Sequence, residues 1–250
     1  VNAGEYVYSL KGSPKSGNVQ IDFNNGGVEY HMMSMVKLKP GVTNAQLKKA
    51  ALSSSNAAFK KIADGDGTVA PEPGILGPNT KMSMIAQLKA GHYGIVCFIP
   101  AASDGKPHVA HGMFKVFDVS SAKSNLTPPT DGVVDITLTD TAVTLPSTGI
   151  PAKGYAKIVN NGTTARDFNL AILNGTTTVA QADAYFTQLF ESGPPAGVPP
   201  AVIDGGIIAI PKGGTAYLAL DFAKGRYAYA SSNSELEDDP NEIFAEFEVK

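Results

Sequence analysis

Short stretches in which Val, Ile, Tyr and Phe alternate with polar residues recur along the chain, Val19-Gln20-Ile21-Asp22-Phe23 being one of them. Gly, Pro and Asn break these stretches at short intervals, so the pattern predicts many short β-strands joined by tight turns. Helical spacing intrudes twice, over Thr43–Leu52 and Thr178–Phe186. Each helical stretch opens on a Thr followed three residues later by a Gln (Gln46, Gln181), the signature of a capping box. Strands with one helical insertion per half of the chain predict an all-β protein made of β-sandwiches.

The two halves read as copies. Val19-Gln20-Ile21-Asp22-Phe23-Asn24-Asn25-Gly26 returns as Ala156-Lys157-Ile158-Val159-Asn160-Asn161-Gly162, and five residues after that Gly stand His31 and Asp167. Leu88-Lys89-Ala90-Gly91-His92-Tyr93 pairs with Phe222-Ala223-Lys224-Gly225-Arg226-Tyr227, which sets Ser231 against Cys97. Both copies close on a strand, Phe114–Val119 and Phe244–Val249. Pro-rich segments at Pro71-Glu72-Pro73-Gly74 and Pro194-Pro195-Ala196-Gly197 read as loops, and Asp64-Gly65-Asp66-Gly67 as a turn. The Ser-, Thr- and Pro-rich stretch between the copies reads as a linker, giving domains at 1–120 and 133–250 joined by 121–132.

Composition narrows the possibilities. The 250 residues carry a net charge of −3, which leaves no basic footprint for nucleic acid, and no apolar run is long enough for a membrane span. One cysteine excludes an internal disulfide framework. Few charges and abundant Thr, Ser, Asn and Gly place the expected home outside the cytoplasm, secreted, periplasmic or attached to a bacterial envelope. Nucleophile-elbow, phosphate-loop and zinc-protease motifs are missing from the sequence. The four His all fall in the first half, too few for a multicopper oxidase cluster, so the chain is expected to be no enzyme.

The first half holds His31, Cys97, His108 and Met113. Two imidazoles, a thiolate and a thioether are the donor set of a trigonal copper site with a weak axial Met, because soft sulfur stabilises Cu(I) while imidazole tolerates both oxidation states. Gly91-His92-Tyr93-Gly94-Ile95-Val96-Cys97 followed by His108-Val109-Ala110-His111-Gly112-Met113 resembles the closing loop of cupredoxins, the plastocyanin and azurin class. Asn24-Asn25-Gly26 ahead of His31 is similar to that family's approach to its first ligand His, although Met32 stands where the family usually has Asn.

The resemblance implies two tandem Greek-key sandwiches. It implies one copper ion on His31, Cys97 and His108 with Met113 axial, one-electron transfer or copper holding, and a redox protein as partner. His108, on a loop, would be the ligand edge nearest solvent. In the second copy Asp167, Ser231 and Ile243 stand in the ligand places, so that copy is expected to hold no metal.

Blander readings stand beside these. Cys97 taken alone reads as a buried thiol, His31 as a core or edge histidine, and His111 as a surface neighbour or substitute ligand; the four residues together favour the ligand reading of Cys97. His92, on the opposite strand face from Cys97, reads as solvent-exposed. The acidic group Glu235, Glu237, Asp238, Asp239 and Glu242 reads as a solvated loop. The competing functions are a metal-free structural or binding module with relic ligands, and a copper store that prefers Cu(I).

Overall fold

The computed structural model describes the chain except residues 54, 55, 69, 70, 235–238, 240 and 250, and omits the side chains of 56, 66 and 68. Glu235, Glu237 and Asp238 of the acidic group therefore lie outside the described residues. The first half runs β1 (Asn2–Gly4), β2 (Val7–Ser9), β3 (Lys15–Asn25), β4 (Ser34–Leu38), α1 (Asn44–Ala51), α2 (Asn56–Ile62), β5 (Ala63–Thr68), β6 (Glu72–Pro73), β7 (Lys81–Leu88), β8 (Gly91–Val96), α3 (His108–His111) and β9 (Phe114–Lys123). The second runs β10 (Val133–Leu138), β11 (Val143–Thr144), β12 (Lys153–Asn160), β13 (Arg166–Leu173), α4 (Val179–Ser192), β14 (Ala201–Ile210), β15 (Thr215–Asp221), β16 (Gly225–Ser231) and β17 (Ile243–Val249).

The fold is all-β and sandwich-like. In the first half β5-β4-β8-β9 form a layer, and β1, β3 and β7 belong to the other; in the second, β17-β16-β13-β14 form a layer and β11-β10-β12-β15 the other. The alternation seen in the sequence is the cause. In β3, Ile21 and Phe23 point inward and are 7% and 0% exposed, while Asp22 between them faces out. Both helices begin on full capping boxes, Thr43 with Gln46 and Thr178 with Gln181. The helical insertion is a single helix in the second half. In the first it is split into α1 and α2, and the single turn α3 is added later.

Two segments differ from expectation. Asp64-Gly65-Asp66-Gly67 lies within β5, an edge strand in which Gly65 and Gly67 take positive φ and bend the pairing with β4. Glu72-Pro73, read as loop, is a short strand that pairs across to β14 of the other half. A second link joins the halves where β7 pairs antiparallel with β15, Met84 opposite Leu218, so that one sheet runs through both.

Candidate metal centre

A buried amide turns the chain into the site. The Asn25 Nδ2 donates to the carbonyls of Glu29, Leu76 and Gly77 at 2.8–3.1 Å, and its Oδ1 accepts from the Gly27 N–H. This closes the turn after β3 and aims the next residues inward, where His31 exchanges two backbone hydrogen bonds with Leu76. Cys97 continues directly from β8, and its N–H donates to the Met113 carbonyl. The His108 N–H donates to Ile99, and the Met113 N–H to His108. Between them the stretch Ala101–Lys106 is a closed hairpin, with Ala101 and Lys106 bonded across it and Pro100 bridged to Pro107.

These paths bring three of the four expected ligands together. His31, Cys97 and His108 are fully buried, and their donor atoms lie within 4.8 Å of one another. The two Nδ1 atoms are 3.1 Å apart, and Cys97 Sγ is 3.4 Å from His108 Nδ1. Met113 is equally buried, belongs to the same core cluster as Cys97, and ties its backbone to both Cys97 and His108. The Met32 N–H points at Cys97 Sγ from 3.5 Å, so the residue in place of the family's Asn contributes through its backbone.

The outer nitrogens meet carboxylates. Glu29 Oε2 lies 3.0 Å from His108 Nε2 and also accepts from the Ala102 N–H, while Glu29 Oε1 accepts from the Tyr6 hydroxyl at 2.9 Å. Burial works against ionisation of Glu29, but the Ala102 N–H, His108 and Tyr6 together hold its carboxyl below the usual range. Glu5 Oε1 accepts from the N–H groups of Val28 and Glu29 and stands 3.9 Å from His31 Nε2. Gly27 is required by this closeness. A Cβ there would sit 2.5 Å from the Glu5 carboxylate and 2.8 Å from His31 Nε2.

Proton accounting tests whether a cation fits. Burial, with His108 nearby, pushes His31 down to about 4, and burial also lowers His108 against the pull of Glu29, so both rings are neutral at pH 7. An ionised carboxylate only accepts, so His108 carries its proton on Nε2 and turns the Nδ1 lone pair toward Cys97 and His31. If His31 donates from Nδ1, its Nε2 lone pair is left buried without a hydrogen-bond partner among the described residues, facing the Glu5 carboxylate. If it carries the proton on Nε2 instead, two lone pairs oppose each other at 3.1 Å. A cation between them resolves the conflict, because both Nδ1 lone pairs and the sulfur then converge on it and each N–H points at an acid. The donor set therefore fits copper. Burial lifts the Cys97 thiol to about 11, so a metal binding there would have to displace the thiol proton.

Other expected residues fall elsewhere. His108 is no solvent edge: α3 tucks it inside, and Tyr6 covers it, 4.9 Å away and edge-on to its ring. His111 is partly exposed, stacks on Tyr6, and bonds Asp104 through Nε2, outside the cluster. His92 does point away from Cys97, but it is not solvent-exposed. Its Nδ1 meets Asp118 and its Nε2 meets the Val42 carbonyl, both at 2.7 Å. Sequence reasoning missed Glu29, Tyr6 and Glu5, whose partners in the site lie far along the chain and leave no local motif.

The match between the halves shifts by one residue at the first ligand. Asn160 repeats the Asn25 pattern, donating to the carbonyls of Thr164 and Ile210 and accepting from the Gly162 N–H. Counting on from these asparagines sets Arg166, not Asp167, in the place of His31. Arg166 is buried and bonds Asp239 and the carbonyl of Ser231, the residue in the place of Cys97. The repeated Asn-Asn dipeptide had concealed the offset. Tyr93 and Tyr227 keep equivalent bonds, each hydroxyl donating to the carbonyl four residues before it, Lys89 and Ala223.

No protein-family model matches the sequence, nor does any curated protein. Solved structures that match include a multicopper oxidase (14% identity, 95% of this chain and 76% of that one, TM-score 0.25). A laccase from Botrytis aclada matches at 10% identity over 92% of this chain and 50% of its own, TM-score 0.25. A copper-containing nitrite reductase from Thermus scotoductus matches at 11% identity over 95% and 54%, TM-score 0.23. The chain thus spans about half the length of the last two. At these scores the likenesses carry no argument about chemistry, which rests on the geometry above. The expectation that the chain is no enzyme is withdrawn: the matching structures are themselves named as copper enzymes, which does not make this chain one. Counting histidines limits how many copper ions one chain holds; it does not decide whether a mononuclear site has a substrate. No helix among the described residues is long and apolar enough to cross a membrane.

Proposed function

We propose that this chain binds one copper ion through His31 Nδ1, His108 Nδ1 and Cys97 Sγ, with Met113 as the weak fourth donor, and uses it for one-electron transfer or copper holding. The observation that carries the reading is the pair of buried imidazoles whose Nδ1 atoms stand 3.1 Å apart beside a buried sulfur, with carboxylates on their outer nitrogens. Copper in such a site cycles between Cu(I) and Cu(II), and a rigid, dry donor set keeps the rearrangement between them small. In this reading the chain comprises domains at 1–120 and 133–250, the second without metal. A redox protein supplies or takes the electron, and the weakly charged composition suits a secreted or envelope setting.

The test is an absorption and paramagnetic resonance titration of metal-free protein with Cu(II). An intense thiolate-to-copper band that saturates at one equivalent is expected, and Cys97→Ala should abolish it while the circular dichroism of the fold stays unchanged. Absence of the band from the unaltered protein would overturn the reading and leave a metal-free sandwich module.

A further inference from the structure

The turn between β1 and β2 places only Glu5 and Tyr6 at its tip, and both reach the site described above. Tyr6 takes φ +60, a left-handed conformation that favours Gly or Asn in such a turn. Its side chain is held against the site. The ring lies edge-on to His108 and stacks on His111 at 4.7 Å, and the hydroxyl donates to Glu29 Oε1 at 2.9 Å. The other Glu29 oxygen receives His108 Nε2 and the Ala102 N–H. A chain of contacts therefore runs from the N-terminal turn to the outer nitrogen of one candidate ligand.

The second half separates what the frame needs from what the site needs. Asp140, between β10 and β11, takes the Thr163 N–H as Glu5 takes that of Val28, so an acid at this tip serves the fold in both halves. The residues in the places of Tyr6 and Glu29 are Thr141 and Thr164, which offer neither a ring nor a carboxylate. The Tyr6–Glu29 pair belongs only to the half where imidazoles and thiol converge.

We infer that Tyr6 and Glu29 are positioning residues of the metal centre. They fix the tautomer and orientation of His108, so that its Nδ1 lone pair faces Cys97 before metal arrives. The N-terminal turn is then part of the site. This rests on the copper reading for its consequence, but its core is a property of the metal-free protein and can be measured there.

The experiment uses the full chain and two readouts. In metal-free protein, nitrogen-15 NMR should show His108 with its proton on Nε2. Glu29→Ala should shift His108 toward a mixture of tautomers, and Glu29→Gln, whose amide oxygen can still accept, should restore the single form. With cobalt(II) alone as probe, Glu29→Ala should weaken binding by about 10–100-fold, the usual cost of losing such an outer partner, and Tyr6→Phe by less. Unchanged tautomer populations in both Glu29→Ala and Tyr6→Ala would overturn the inference. If the unaltered protein binds neither cobalt nor Cu(II), the copper reading fails while the tautomer result still decides this one. Should Glu29→Ala not fold, Tyr6→Phe and Glu29→Gln carry the comparison.

Discussion

Where the first half brings two imidazoles and a thiol together, the second half puts a guanidinium. Arg166 sits in the place of His31 and is 2% exposed; it bonds the backbone of Ser231, in the place of Cys97, and the carboxylate of Asp239 on the loop before the closing strand. The scaffold around both places is alike: the Asn25 and Asn160 brackets, the capping boxes and the Tyr93 and Tyr227 ties recur. The difference shows that the frame leaves a buried position that is well served by positive charge. One half supplies that charge covalently with an arginine; on the copper proposal, the other leaves lone pairs that a metal would satisfy.

The comparison breaks most completely at the sulfur. Cys97→Ser, which copies the second half into the first, should remove the thiolate-to-copper band entirely, checked by absorption after Cu(II) addition. Removing the charge on the other side should cost stability instead. Arg166→Met leaves Asp239 buried without its partner, so unfolding in urea should show a loss of about 3 kcal/mol, the scale for breaking a buried pair from one side. Arg166→Met combined with Asp239→Leu should recover much of that loss.

A third change probes the seam between the halves. Burial, with Asp167 nearby, raises the Glu72 carboxyl well above its usual range against the bonds it takes from Met35 and Ser34. The folded chain then holds a proton that the unfolded chain releases as pH rises above the ordinary carboxyl range. Stability consequently falls with pH there, by up to about 1.4 kcal/mol per pH unit. Glu72→Gln should flatten that slope and stabilise the protein at neutral pH, with little effect in acid, as read from denaturation midpoints across pH.

The smallest effect belongs to His92. Burial disfavours its charged form, but Asp118 and the Val42 carbonyl outweigh this and raise its pKa. Its contribution is therefore present below the unfolded histidine's range and disappears as pH rises through the folded value. Asp118→Asn should cost a few tenths of a kcal/mol at pH 5.5 and nothing at pH 8.5, since Asp118 is largely exposed.

Much of this was legible in the sequence for reasons that are local. Alternation along β3 and the Thr–Gln caps depend on neighbours a few residues away, and the run from Gly91 to Cys97 is one uninterrupted strand and its end. The ligand types could be gathered because three of them lie on one closing loop. What stayed hidden depends on distance along the chain. Glu29 reaches His108 across 79 positions, and Tyr6 reaches Glu29 across 23. The burial of His108 comes from the turn of helix after Pro107 and from Tyr6 above it, which no spacing within the loop reveals. The strand at Glu72-Pro73 exists only because β14 passes beside it.

The pairing of β7 with β15 has a consequence for the symmetry of the chain. Met84 stands opposite Leu218, and each of these strands pairs on its other edge with a corresponding partner, β3 and β12. The halves thus meet edge to edge through corresponding strands, the self-complementary geometry of a twofold pair. The chain thus has the symmetry of a twofold pair, with two imidazoles and a thiol at the buried position of one half and an arginine at that of the other.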